Sequence, residues 1–290
     1  MKIGLAQLNP TVGDIDGNGM KILEIVQKYS NQCDIIVFPE MVLTGYPPQD
    51  LLFETQFISL VSSKINEIVN FVEDCIIIIG SIRNENNNLY NTAVVIQNGE
   101  IIRYVDKCIL PTYDVFEEDR YFTSSQNIEP ISVKINGNDV ILGIHICEDL
   151  WNKNNNNDVI ETLAKKGTDI FINLSASPFC LNRIEERIKT VKSKVDKINK
   201  PFVYCNLVGG QDELVFDGHS FALNEKGEIS HISNPFEESC DILDLNEIHS
   251  SLIVNGIDLT REGLDKKINK ILSNLANIKE NYINVEKTEI

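Results

Sequence analysis

Apolar β-branched runs recur along the chain, and between them apolar residues fall at three- and four-residue spacing. Residues 3–8 form the first run, closed by Asn9 and Pro10, and read as a strand. Residues 20–29 read as a helix with Ile22, Leu23, Ile25 and Val26 inward, and residues 34–38 (DIIVF) as a buried strand cut off by Pro39. Residues 54–73 carry Phe57, Leu60, Val61, Ile65, Ile68 and Val69 at helical spacing, and residues 75–82 are again a strand. Residues 90–97 and 100–105 flank Asn98-Gly99, a strong hairpin signal. The apolar run from Val140 leads into a helix near 159–166, a strand at 169–174, a highly charged helix at 182–199 and a strand at 202–207. Residues 220–223 and 228–232 flank a polar stretch ending in Gly227, which suggests a second hairpin. The Asn runs at 86–88 and 154–157 read as surface loops.

Alternating strands and helices with two hairpins predict an α/β domain with mixed, largely buried sheets. With 290 residues, 42% of them hydrophobic, the chain can bury a substantial core. No internal linker is evident before the end, so residues 1–257 read as one domain. Residues 258–290 then supply a closing helix, with Leu264, Ile268, Ile271, Leu272, Leu275 and Ile278 on one face, and a loose polar tail.

Charge and cysteine usage narrow the function classes. A net charge of −17 and a pI near 4.6 argue against nucleic acid and anionic membrane as partners, since both require a basic footprint. No apolar run approaches the length of a membrane span, and residues 3–8 read as a strand rather than a signal peptide. Seven cysteines without paired spacing fit free thiols in a reducing cytoplasm. There is no CxxC or HExxH pattern and the four histidines are scattered, so no metal site is expected.

The chemistry centres on residues 140–151, VILGIHICEDLW. A buried strand ends there at Cys147, with Glu148, Asp149 and Trp151 beyond it. A strand's carboxyl end is where α/β sheets keep their ligand sites, and amides after the turn would favour a thiolate or hold an oxyanion. Glu40 and Lys107 also fall just after apolar strands, so the three side chains can converge. Together they suit attack on a carbonyl. Cys147 would be the nucleophile and Glu40 the general base, while Lys107 would stabilise the oxyanion and depress the thiol pKa. The competing readings are a structural cysteine, an ordinary Glu–Lys pair at a sheet edge, and a Cys147–His145 dyad, since strand period puts His145 on the side of Cys147. Two loops stand out as well. Residues 44–50 (TGYPPQD) are rich in turn formers, and residues 110–122 (LPTYDVFEEDRYF) hold four aromatics among charges, the composition of a folded active-site loop.

Phe38-Pro39-Glu40, Lys107 with Leu110-Pro111 after it, and Cys147-Glu148 resemble the Glu-Lys-Cys pattern of the nitrilase, or carbon–nitrogen hydrolase, superfamily. TGYPPQDLL at 44–52, LPTYDVFEEDRYF at 110–122, CEDLW at 147–151 and NLVGGQDELVFDGHS at 206–220 are similar to the glutaminase domain of glutamine-dependent NAD synthetases. The resemblance runs from the first strand to about residue 235.

It implies a four-layer α-β-β-α sandwich and a cysteine thioester route for hydrolysing glutamine. The ammonia released would serve ATP-dependent conversion of deamido-NAD to NAD. By the same resemblance Glu118 is an additional active-site glutamate, and Tyr113 and the Glu148 amide lie near substrate. Tyr46 and Trp151 would wall the pocket, and Ser175 or Ser177 with Arg183 would grip the glutamine head group. A synthetase domain or subunit is the implied partner, within a homo-oligomer. ATP and magnesium are expected only in that synthetase part, which this chain is expected to lack. The stretch Val208-Gly209-Gly210-Gln211-Asp212 is similar to an ATP-phosphate loop but lacks its serines, and it belongs with the glutaminase match. The remaining alternatives are an amidase or nitrilase acting alone on another substrate, and a catalytically silent glutaminase-like subunit.

Overall fold

The computed structural model describes residues 1–73, 75–151 and 158–245, and the backbone of 253–254 and 257–258. The closing helix expected at 264–278, the polar tail and the Asn154–Asn157 run lie outside the described residues. The chain divides into two units, Met1–Ile248 and His249–Ile290. In the second, Ile253–Val254 pairs antiparallel with Ile257–Asp258.

The first unit begins with a β-α-β-α-β run whose strands are largely buried. β1 (Lys2–Gln7), α1 (Ile15–Tyr29), β2 (Ile35–Val37), α2 (Thr55–Val69) and β3 (Ile76–Glu85) follow in order. Next come β4 (Asn88–Gln97) and β5 (Glu100–Asp106). After the loop, β6 (Ile131–Ile135) and β7 (Asn138–Ile146) lead into α3 (Val159–Lys165), β8 (Ile170–Ser175), α4 (Arg183–Ile198) and β9 (Phe202–Asn206). Short strands close the unit: β10 (Val208–Gln211), β11 (Leu214–Asp217), β12 (Phe221–Leu223), β13 (Ile229–Ile232) and β14 (Ser239–Asp244).

Two six-stranded sheets result, ordered β14-β1-β2-β3-β4-β5 and β13-β12-β9-β8-β7-β6. In each, three central strands are parallel and the outer ones antiparallel. Strand alternation sorts the side chains into three apolar layers. Ile3, Leu5, Ile35, Val37, Ile76 and Ile78 of one sheet meet Leu142, Ile144, Ile146, Ile170, Ile172 and Val203 of the other. Ile36, Ile77 and Ile79 turn the opposite way, onto Ile22 and Val26 of α1 and Val61, Ile65 and Ile68 of α2. Phe171, Phe202 and Tyr204 pack on Ile160 and Leu163 of α3 and Val191 and Val195 of α4. The layers therefore run α-β-β-α, as the resemblance implies.

The expected Asn98-Gly99 hairpin is present, with both residues at positive φ, as is the hairpin of β12 and β13. Three other hairpins among the described residues of this unit were not expected, β10–β11 among them. Asn86-Asn87, read as part of a surface loop, is the positive-φ turn between β3 and β4, and Asn136-Gly137 turns β6 into β7. Leu60, placed on the inner face of its helix, is instead 58% exposed; its position lies at the margin of the apolar stripe, beyond the reach of the sheet.

One glycine decides where the first carboxylate of the site stands. Beyond β2 the chain crosses β3 at Gly80, where a Cβ would lie 2.1 Å from Pro39 O, 2.5 Å from Met41 N and 2.6 Å from Glu40 Cα. All three are backbone atoms of the segment carrying Glu40, so no flexible side chain can yield. Gly80→Ala is expected to lower stability by about 1–3 kcal/mol through overpacking. A urea midpoint unchanged from the parent would show that the crossing has slack.

Candidate active site

β2, β5 and β7 run in directions that bring their carboxyl ends to one edge of the sandwich, and each delivers a chemically active side chain there. Glu40 stands three residues past β2, Lys107 one past β5, and Cys147 one past β7. Cys147 opens a 3₁₀ turn, Cys147–Leu150, with its own φ at +40°, a strained value for a residue bearing a Cβ. Strand periodicity therefore stops at Ile146.

Beneath Cys147 lies a buried ion cluster. Lys107, 1% exposed, donates to Glu40 Oε1 at 2.7 Å and to both oxygens of Glu118 at 2.8 Å. Glu40 is wholly buried; Oε1 also accepts from Asn91 Nδ2 at 2.7 Å, and Oε2 from the Ala176 N–H at 2.8 Å. Tyr46 donates its hydroxyl to Glu118 Oε1 at 2.9 Å. The loop at 110–122 thus folds back to bring Glu118 to Lys107, with Glu118 N–H donating to Pro111 O. Burial opposes the Lys107 ammonium, but Glu118 and Glu40 outweigh it and hold its pKa well above the usual value. Burial raises the Glu118 carboxyl against the pull of Lys107.

Lys107 lowers the Cys147 pKa, as expected, but larger contributions override it. Burial, reinforced by Glu40, pushes the Cys147 pKa well above that of a free thiol, and Lys107 only opposes this. The ammonium sits between two carboxylates, so little of its field is left to favour a thiolate. At rest Cys147 is a thiol, with a base close by.

Cys147 opens onto a cleft of 960 Å³. Tyr46, Tyr113, Glu148, Trp151, Ser177 and Arg183 line it with Cys147. Tyr113 donates to Glu148 Oε2 at 2.9 Å, and burial raises the Glu148 carboxyl. Arg183 reaches Glu186 at 2.9 Å, and its guanidinium carbon lies 5.9 Å from the Trp151 ring centroid. Of the two serines, Ser177 lies on the cleft, whereas Ser175 is wholly buried and donates its hydroxyl to Asn173 Oδ1. Strand alternation turns Ser175 away, inside β8, and Ser177 lies past its end.

His145 does not face Cys147. Its Nδ1 lies 3.2 Å from Gly143 O and its ring packs edge-on against Phe202 and Phe171, on the helix side of the sheet. The turn at Cys147 redirects the next side chain, so the same-side expectation fails and the packed-residue reading holds. The Val208–Asp212 stretch is hairpin β10–β11, and a Cβ on Gly209 would strike Asn9 Oδ1 at 2.0 Å, so this glycine serves packing. Among the described residues, no cluster of His, Cys, Asp and Glu is placed to hold a metal ion, and no helix is long and apolar enough to cross a membrane. All seven cysteines are free.

Several structural partners escaped sequence reading. Asn91 offered a faint signal, as a polar residue inside an apolar strand. Arg187, wholly buried, reads as one more charge on a charged helix. It binds both oxygens of Asp217 at 2.8 and 3.0 Å, and the carbonyls of Ser177 and Pro178 at 2.7 and 3.1 Å. It thereby fixes the cleft wall next to Ala176, whose amide holds Glu40.

Residues 2–253 match the model of the carbon–nitrogen hydrolase family. The chain belongs to the carbon–nitrogen hydrolase family. Within it, this member is 37% identical over 257 residues to the glutamine-dependent NAD(+) synthetase of Synechocystis sp., covering 83% of this chain and 45% of that protein. It is 39% identical over 246 residues to the synthetase of Aquifex aeolicus, covering 84% and 41%. The chain thus spans less than half the length of these relatives. The structure of glutamine-dependent NAD+ synthetase from Acinetobacter baumannii superposes with a TM-score of 0.77 at 31% identity, over 83% of this chain and 44% of that one. An amidase of the nitrilase superfamily from Nesterenkonia shares the fold, with a TM-score of 0.74 at 17% identity over 92% and 96%.

A pH test follows from His145. Burial lowers its pKa from 6.5 to about 3. The depressed value means that the folded state excludes a proton the unfolded chain accepts. The neutral ring's contribution is full above the unfolded value and is lost as pH falls from 6.5 towards 3, at up to about 1.4 kcal/mol per pH unit. His145→Phe should flatten the fall in urea midpoint between pH 6 and 4. An unchanged pH slope would mean that the ring titrates normally.

Proposed function

We propose that the chain is a glutamine amidohydrolase that works through a Cys147 thioester and supplies ammonia for ATP-dependent conversion of deamido-NAD to NAD. The observation that carries this reading is the Glu40–Lys107–Glu118 cluster beneath Cys147, in a chain 37% identical to a glutamine-dependent NAD synthetase over 83% of its length.

In this reaction Glu40 takes the thiol proton as Sγ bonds to the carboxamide carbon. The carbonyl oxygen becomes an oxyanion facing the Lys107 charge and the Glu148 amide. Collapse breaks the C–N bond, and the nitrogen leaves as ammonia with the proton held by Glu40. Glu40 then removes a proton from water, which attacks the thioester; glutamate departs and Sγ regains its proton. Glu118, tied to Tyr46, keeps the Lys107 ammonium in place. Arg183 and Ser177 suit the substrate's α-carboxylate, and Glu148 with Tyr113 its α-ammonium. Trp151 and Tyr46 wall the aliphatic part. The ammonia-consuming step belongs to a synthetase domain or partner subunit, which also binds ATP and magnesium.

The test is to offer purified protein glutamine, other small amides and nitriles, reading free ammonia and a thioester mass on Cys147. Glutamine should be preferred, and Cys147→Ala should abolish turnover with the fold intact. Glu40→Gln should lose about 10²–10⁴-fold. Preference for a simple aliphatic amide would leave an amidase acting alone, and no turnover of any compound would leave a silent subunit. Undiminished ammonia release by Cys147→Ala would overturn the mechanism.

A further inference from the structure

Asp149 has a place in the site to which the reaction above gives no role. It lies in the 3₁₀ turn two residues after Cys147 and is 2% exposed. Its Oδ1 accepts from the N–H groups of Cys108 at 3.0 Å and Ile109 at 2.8 Å, the two amides that follow Lys107. Its Oδ2 accepts from the N–H of Ile146 at 3.0 Å, the amide that precedes Cys147. One carboxylate therefore binds the backbone on both sides of the gap between the ammonium and the thiol.

β5 and β7 belong to different sheets, and the layer between those sheets is aliphatic. Aliphatic packing is non-directional and tolerates small slides of one sheet on the other. Burial raises the Asp149 pKa to about 7, against the pull of the Ile146 N–H, Lys107 and the Ile109 and Cys108 N–H groups, which favour its charged form. Hydrogen bonds to a carboxylate are directional and do not tolerate such slides. The Oδ2 contact alone would cap the local turn. The pair of contacts at Oδ1, reaching 40 and 41 residues back along the chain, adds nothing to that turn.

We propose that Asp149 is a positioning residue that sets the separation and aim of Cys147 relative to Lys107, and through Lys107 relative to Glu40. The assignment deepens the reading of Cys147 as nucleophile and rests on it. Loss of the clamp lets the two strand ends drift apart. Misplacement of the reacting groups by about 1 Å costs on the order of 10²-fold in rate.

The experiment compares the whole chain with Asp149→Asn, in which an amide NH₂ or a weaker acceptor must face one set of N–H groups. Asp158→Asn is the control, since Asp158 caps α3 and pairs with Lys194, and none of its hydrogen bonds among the described residues goes to the amides beside Lys107 or Cys147. Two quantities are read: kcat and KM for amide hydrolysis, and the rate of Cys147 alkylation by iodoacetamide relative to exposed Cys180. Asp149→Asn should lower kcat about a hundredfold with KM little changed, and lower the alkylation ratio with it. Asp158→Asn should lose thermal stability and keep both. A folded Asp149→Asn protein with parental kcat and parental alkylation ratio overturns the proposal. If Asp149→Asn unfolds, shown by alkylation of buried Cys75 and Cys205, the decision passes to a backbone ester at position 109. That change removes one N–H and leaves every side chain, and the same two readouts apply. If the parent protein hydrolyses no amide, the proposed function fails, and the alkylation ratio alone decides the role of Asp149.

Discussion

A desolvated ammonium is the constraint around which the unit is arranged. Lys107 carries a positive charge where water does not reach, and taking such an ion out of water costs several kcal/mol. The structure meets that cost with two carboxylates, and each imposes a path on the chain. Glu40 arrives because β2 runs on past its last ladder pair and crosses β3 at Gly80. Glu118 arrives because the loop after β5 doubles back over its own start and is tied down by Tyr46. The cluster itself is a poor source of stability, since buried ion pairs roughly break even against apolar packing. The three aliphatic layers hold the fold, and the ion cluster is a load they carry.

That arrangement also determines the resting state of the thiol. A lone lysine beside a cysteine would favour the thiolate, but here the lysine is already matched by two carboxylates. Burial then dominates, and Sγ keeps its proton. A thiol that ionises only as it attacks is less exposed to oxidation and stray electrophiles than a standing thiolate. In the proposed reaction the proton moves a short distance to Glu40 and never enters bulk water.

The walls are held by a second buried pair. Arg187 and Asp217 neutralise one another, and Asp217 is kept below the usual carboxylate range, against burial, by His219 and Arg187. The remaining Arg187 donors clasp the segment at 177–178 that lines the cleft. Glu40 is thus oriented from one sheet by Asn91 and from the other by Ala176. A site assembled from two sheets needs such polar ties, because the apolar layer between them fixes distance better than lateral position.

Much of this was legible in residue order. Strand and helix periods depend on local alternation of apolar positions, so the runs at β2, β3, β7 and β8 and the helices between them could be placed. A charged or nucleophilic residue just past a buried strand is likewise a local pattern, and it singled out Glu40, Lys107 and Cys147. Asn86-Asn87 escaped because its turn lacks the glycine that marks Asn98-Gly99, whereas Asn136-Gly137 carries the same local signal and went unread. What the sequence could not state was which distant groups share a proton or a charge. That Lys107 lies between two carboxylates, that Ser177 rather than Ser175 reaches the cleft, that His145 faces the helices, and that Asp149 spans two sheets all depend on contacts between positions dozens of residues apart. Pattern fixes which face of its own element a side chain occupies. Only packing one element on another decides what stands opposite it, and the charge on a buried group follows from that neighbour.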